Sequence, residues 1–119
     1  MATLTPTLKL ESIDTTTDTL SLTVTDSLTV TAPSIDTARV TLTTNDTDIV
    51  STSNASITYL YAKNTDDTQV IIVETGGGHA FADLNPGEFC FFPIKGTKGV
   101  RASSASGTAV LEYGYWTKG

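Results

Sequence analysis

The single histidine of this chain, His79, follows the run Gly76-Gly77-Gly78, and its single cysteine, Cys90, sits within Phe89-Cys90-Phe91-Phe92. Glycines ahead of a polar residue are the outline of an anion-binding loop, but a phosphate loop needs a helix N-terminus behind the glycines and usually a lysine. A zinc site needs three or four ligands. Neither context surrounds His79, which reads as an exposed residue at the start of a strand. Cys90 has no partner for an intrachain disulfide, and among phenylalanines it reads as a small buried hydrophobe rather than a nucleophile.

Two acidic pairs, Asp46 with Asp48 and Asp66 with Asp67, offer oxygen ligands of the kind calcium takes. They lack the central Gly and distal Glu of a helix-loop-helix calcium site, and Asp is also an ordinary turn residue. Catalysis by a carboxylate pair or by Ser with His would route proton transfer through one His, while the many Ser and Thr residues single out no nucleophile. Asn45-Asp46-Thr47 and Asn54-Ala55-Ser56 match the glycosylation pattern; in so hydroxyl-rich a chain this reads as coincidence. The expectation is a protein that is not an enzyme, with no cofactor and no metal.

What the chain holds in quantity is threonine, 24 of 119 residues, set at alternate positions in runs such as Leu20-Ser21-Leu22-Thr23-Val24-Thr25. Thr lays its methyl on a pleated sheet and turns its hydroxyl to water or to a neighbouring chain. Hydrophobic residues make up 39% and charged residues 17% of the chain. Both shares lie below the globular norm, and Thr and Ser fill the gap rather than the charges of a disordered segment. Such a surface is cheap to desolvate against another protein, since interface cores are depleted of charge. The net charge of −6 divides into −5 over residues 1–60 and −1 over residues 61–119. With no basic stripe, nucleic-acid binding is not expected. No run approaches the ~20 apolar residues of a membrane span. Met1 to Leu10 also lacks the basic start and apolar stretch of a secretory leader. A soluble protein made inside the cell is therefore expected.

A length of 119 residues suits one domain with one core, spanning the whole chain. Leu4, Leu8 and Leu10 alternate with polar residues around Pro6, which suits an edge strand or an extended N-terminal arm within residues 1–18 because proline removes a ladder donor. Ser12 to Asp18 reads as a polar link. Leu20 to Val24 and Leu28 to Val30 read as strands of a tight hairpin around Asp26-Ser27. Ala32-Pro33-Ser34 breaks the pattern, Arg39 to Thr43 resumes it, and Asn45 to Asp48 reads as a turn. Further strands are expected over Ile57 to Lys63, Gln69 to Glu74, His79 to Leu84, Phe89 to Ile94, Val100 to Ala102 and Thr108 to Trp116. Asn85-Pro86-Gly87-Glu88 reads as a tight link between two of these. The tetrad Ser-Ile-Asp-Thr at Ser12 and again at Ser34 reads as chance. No window shows a helical apolar spacing, so eight to ten short strands mean an all-β sandwich, jelly roll or small barrel.

Tyr59 and Tyr61 share one strand face, as do Tyr113 and Tyr115. Most of these rings are expected to pack across strands, with Trp116 the one expected to reach a partner.

The stretch from Tyr59 to Trp116 resembles small bacteriophage virion proteins. The resemblance is carried by Tyr59-Leu60-Tyr61-Ala62-Lys63-Asn64-Thr65-Asp66, Val70-Ile71-Ile72-Val73, Ala82-Asp83-Leu84-Asn85-Pro86-Gly87-Glu88-Phe89, Phe91-Phe92-Pro93 and Val110-Leu111-Glu112-Tyr113. It covers about half the chain and its motifs are structural. It implies a jelly-roll-like β-sandwich that attaches to a capsid or tail as a cement, decoration or connector-associated subunit, and it carries over no catalytic residue. The expected function is a capsid cement subunit that binds major capsid proteins, located in the virion after synthesis in the host cytoplasm. Self-association, for instance as trimers at three-fold positions, accords with that role. A tail, neck or baseplate component and a carbohydrate-binding sandwich are the alternatives. Leu4, Leu8, Leu10, Tyr113, Tyr115 and Trp116 are the candidate partner-binding residues.

Overall fold

The structure is a computed structural model that describes residues 2–12 and 20–119, without the side chains of residues 32–36. Residues 13–18 of the expected polar link and N-terminal arm, and with them all but Ser12 of the first Ser-Ile-Asp-Thr tetrad, lie outside the described residues. The strands are β1 (Ala2–Leu4), β2 (Thr7–Ser12), β3 (Leu20–Thr25), β4 (Leu28–Leu42), β5 (Thr47–Val50), β6 (Ile57–Asn64), β7 (Ile71–Thr75), β8 (Ala80–Leu84), β9 (Phe89–Pro93), β10 (Val100–Ser104) and β11 (Ala109–Lys118). Among the described residues the only helix is a 3₁₀ turn at Gly96–Lys98. No helix among the described residues is long and apolar enough to cross a membrane.

Alternating side chains build two faces from these strands. In β6, Leu60, Ala62 and Asn64 are buried between the sheets, while Tyr61 and Lys63 turn the other way. One sheet runs β1-β4-β11-β6-β9 and the second runs β5-β10-β7-β8. Around the central β7–β8 hairpin, the antiparallel pairs β6 with β9, β5 with β10 and β4 with β11 nest outward in order. A long hairpin folded over itself in this way is a jelly roll, one of the all-β architectures expected from the sequence, with β1 added at one edge. Leu42, Leu60, Ile71 and Leu111 lie at its centre, each at most 1% exposed. Removing each from water contributes about 1.5–3 kcal/mol.

The first third of the chain differs from the sequence reading. Asp26-Ser27 does not turn a hairpin: β3 pairs with β2, and β4 pairs with β1. Leu4 faces Leu28 and Leu8 faces Val24 in one unbroken register, so both strands run straight past the interruption at Pro6 and Asp26. Ala32-Pro33-Ser34 does not end a strand either. β4 continues through it, and two register shifts against β11, between Tyr113 and Thr117, absorb the irregularity as bulges. Asn85-Pro86-Gly87-Glu88 connects β8 to β9, which belong to different sheets, so this turn is a crossover rather than a hairpin. It is closed by the Glu88 amide on the Asn85 carbonyl at 2.9 Å, with Gly87 at a φ of 83°. Thr47–Val50, read in part as a turn, forms β5.

Candidate functional site

β2 and β3 form a two-stranded ribbon that pairs with no other strand among the described residues. Its register places Leu8 opposite Val24, Leu10 opposite Leu22 and Ser12 opposite Leu20. Directly opposed residues share a face, so four leucines and a valine gather on one side. Thr7, Lys9, Glu11, Ser21, Thr23 and Thr25 occupy the other side, where Lys9 and Glu11 form an ion pair at 2.6 Å and Thr25 donates to Thr7 at 3.3 Å. The apolar side chains are 42–50% exposed. Leu4, partly buried, sits across from Leu28 in the sheet that continues the ribbon.

At the ribbon's base the Asp26 amide donates to the Pro6 carbonyl at 3.2 Å, and the Ser27 amide donates to Asp26 Oδ1 at 2.7 Å. Proline returns no N–H, so the ladder thins at this point. Here Pro6, Leu8 and Val24 face Phe89, Cys90 and Phe91 of β9 across a groove of about 480 Å³. Phe89 is 62% exposed. Burial pushes the Cys90 thiol pKa up, which disfavours the thiolate.

A second recess, of about 200 Å³, opens between β8 and β9, the edge strands of the two sheets. Phe81, Phe92, Pro93 and Ile94 line it together with Lys95 and Lys98. Phe81 meets Phe92 edge-on with ring centres 5.9 Å apart, yet stays half exposed.

Several other polar groups are engaged within the fold. On the outer face of the larger sheet the Tyr61 hydroxyl donates to Glu112 Oε1 at 2.9 Å, and Arg39 Nη2 donates to Glu112 Oε2 at 3.2 Å. Burial, and then the bond to Glu112, pushes the Tyr61 pKa up to about 12. The bonds from Tyr61 and Arg39 hold Glu112 below the usual carboxylate range. Arg101 reaches Asp46 at 3.5 Å and Asp48 at 3.4 Å, so this acidic pair faces a guanidinium. Glu74, 8% exposed, is raised by its hydrogen bond with Asp46 and by burial, and its Oε1 has no partner among the described residues. Asp66 accepts from the Gln69 amide at 2.9 Å and the Thr68 amide at 3.1 Å, which close its turn and lower its pKa. Among the described residues no three His, Cys, Asp or Glu side chains converge in a way that would hold a metal ion. His79 is exposed just before β8, its amide 3.4 Å from the Thr75 hydroxyl.

The structure separates the six sequence-predicted contact residues. Leu8 and Leu10 are exposed on the ribbon, with Leu4 at its root. Tyr113 and Tyr115 stack with ring centres 6.3 Å apart and pack on the core between the sheets. Trp116 points to the opposite face, where it is half buried 6.4 Å from Phe91, itself 6.3 Å from Tyr59. Leu20, Leu22, Val24, Phe81 and Phe89 are exposed surface residues that sequence reasoning did not single out. The available signal was the mirrored apolar alternation on either side of the polar stretch 13–19. Comparison with protein-family models, with curated proteins and with solved structures gives no match to this chain.

Proposed function

We propose that this chain is a structural subunit of a bacteriophage virion, a capsid cement or decoration protein that binds major capsid proteins and holds the assembled shell together. The observation that carries this reading is the ribbon, whose exposed face presents Leu8, Leu10, Leu20, Leu22 and Val24. An isolated two-stranded ribbon is marginal in water, and a contiguous apolar patch on a small protein marks an interaction site. Jelly rolls occur in capsid, lectin and cupin domains alike, so the fold leaves the role open. The virion assignment draws its support from the resemblance over Tyr59 to Trp116 and from the hydroxyl-rich, weakly charged surface. The work is thermodynamic: a subunit that binds only the assembled state adds its binding free energy to that state.

The test is to prepare phage particles with and without the protein and to follow genome release on heating. Release at lower temperature without the protein is the expected result. Unchanged release, with the protein found by labelling on the tail, would replace the cement role by a tail role. Absence of the protein from purified particles would end the virion reading.

A further inference from the structure

We propose that the β2–β3 ribbon is a flap that swings on a hinge at Pro6 and Asp26 and lays its apolar side against β9, so that the free chain masks its own contact face. The wall that receives the flap already stands opposite it. Pro6, Leu8 and Val24 line one side of the groove of about 480 Å³, and Phe89, Cys90 and Phe91 line the other. Leu8, Val24 and Phe89 are each half exposed or more across that gap. Leu10 and Leu22 carry the same apolar side one facing pair further out along the ribbon. Closing the groove takes all of these groups out of water together, and the gain scales with the apolar area removed.

The hinge follows from the chemistry of two residues. Both strands lapse at one level, between β1 and β2 at Thr5-Pro6 and between β3 and β4 at Asp26-Ser27. Pro6 has no N–H to give, so a single bond, from the Asp26 amide to the Pro6 carbonyl at 3.2 Å, crosses where an antiparallel pair exchanges two. The Asp26 carboxylate takes the Ser27 amide at 2.7 Å and so satisfies the backbone within its own strand. Beyond this level β2 and β3 pair only with each other among the described residues, so no sheet holds the ribbon in place. A few residues at element ends are enough to absorb such a swing. On the reverse side Lys9, Glu11, Ser21 and Thr23 keep their water in either position, which is what a flap requires. A closed flap lowers the affinity for any partner of the ribbon in proportion to the open fraction. The inference holds for any such partner and does not depend on the virion reading.

Two measurements on the purified full chain test it. Cys90, the single cysteine, lines the groove and reports its closure through the rate at which a maleimide labels it. Leu10→Asp/Leu22→Asp places charge on the side that must dry and is expected to label at least about fivefold faster than wild type. Thr23→Asp, on the reverse side, is expected to label at the wild-type rate. Circular dichroism and thermal melting confirm that each variant is folded. The second measurement is an intrachain disulfide in Leu22→Cys/Phe89→Cys/Cys90→Ala under oxidised glutathione. A disulfide needs Cα atoms within about 7 Å. Leu22 lies about 7 Å further out than Val24, which itself stands across the groove from Phe89, so the bridge forms only when the flap closes. Loss of both thiols at unchanged monomer mass is expected. Equal labelling rates, or thiols that stay free, would overturn the proposal. A bridged flap in a chain absent from virions would remove the virion reading alone. Free thiols in a chain found on capsids would remove this inference alone.

Discussion

The side-chain amide of Asn64 donates to the Leu84 carbonyl at 2.8 Å, joining the last residue of β6 in one sheet to the last residue of β8 in the other. The same amide donates to the Gln69 carbonyl at 2.7 Å, and Asn64 Oδ1 accepts from the Asp66 amide at 2.9 Å. Asn64 is fully buried, so these bonds have no water to replace them. Asn64→Leu should therefore cost about 2–4 kcal/mol, because it orphans the buried Leu84 carbonyl and removes the partners of the half-buried Gln69 carbonyl and Asp66 amide. Urea unfolding checks this. A loss below about 1 kcal/mol would mean that the two sheets are held without this tie.

Leucines of the core and of the ribbon should respond differently to truncation. Leu111 is 1% exposed, and Leu111→Ala should cost about 2–5 kcal/mol. Leu22 is 42% exposed, and Leu22→Ala should stay within about 0.5 kcal/mol for the isolated chain. Equal losses in chemical denaturation would show that the ribbon serves folding rather than contact.

Glu112 and Glu74 should move stability with pH in opposite directions. The folded pKa of Glu112 is lowered by Tyr61 and Arg39, so its contribution is present above its unfolded value and lost as pH falls through the folded one. The folded pKa of Glu74 is raised by its bond with Asp46 and by burial, so its contribution is present at low pH and lost as pH rises through the raised value. Glu112→Gln should therefore lower Tm at neutral pH and flatten the acid decline. Glu74→Gln should raise Tm at neutral pH and leave the acid end unchanged. Melting curves from about pH 3 to 8 separate the two, and parallel shifts of both variants would refute the assignment.

Gly96 is a site of close approach. A Cβ there would lie 2.7 Å from each of three backbone carbonyl oxygens, those of Asn54, Ala55 and Ile57. Gly96→Ala should destabilise by at least about 1–3 kcal/mol, since backbone cannot swing aside as a long side chain does. Gly107→Ala is the control for an open site: nothing lies within 4 Å, and its φ of 64° exacts only a conformational cost. Thermal unfolding of the two variants ranks them, and a milder effect at Gly96 would contradict the packing described.

The later strands were legible because each apolar run is bounded by turn residues and alternates in its own right. Ile57–Asn64, Ala80–Leu84 and Phe89–Pro93 lie within a residue of their expected limits. Strand partners were less legible, because alternation specifies a face and not a neighbour. Leu20 to Val24 could pair forward with Leu28 or back with Leu8 on the same pattern, and the choice fell to the long register shared by β1 with β4 and β2 with β3. Asn85-Pro86-Gly87-Glu88 shows the same limit. Its turn chemistry is identical whether the chain stays in a sheet or leaves it, and Asn64, which bonds both Gly87 and Glu88 through its backbone, anchors the crossing. In the candidate site Leu8 and Leu10 were identifiable from sequence, whereas the recess was not, because Phe81 and Lys95 meet only across two sheets.

The nested pairing also imposes an order on synthesis. β7 and β8 are neighbours in sequence and can zip as soon as both leave the ribosome, but Leu42 must wait for Ala109 and Val30 for Lys118. Until then one side of β4 lies open, a sticky edge on a nascent chain in a crowded cell. On the other side β1 clasps only Leu28 to Val30, so it shields the root of β4 early, its residues being made first, and leaves the rest to β11.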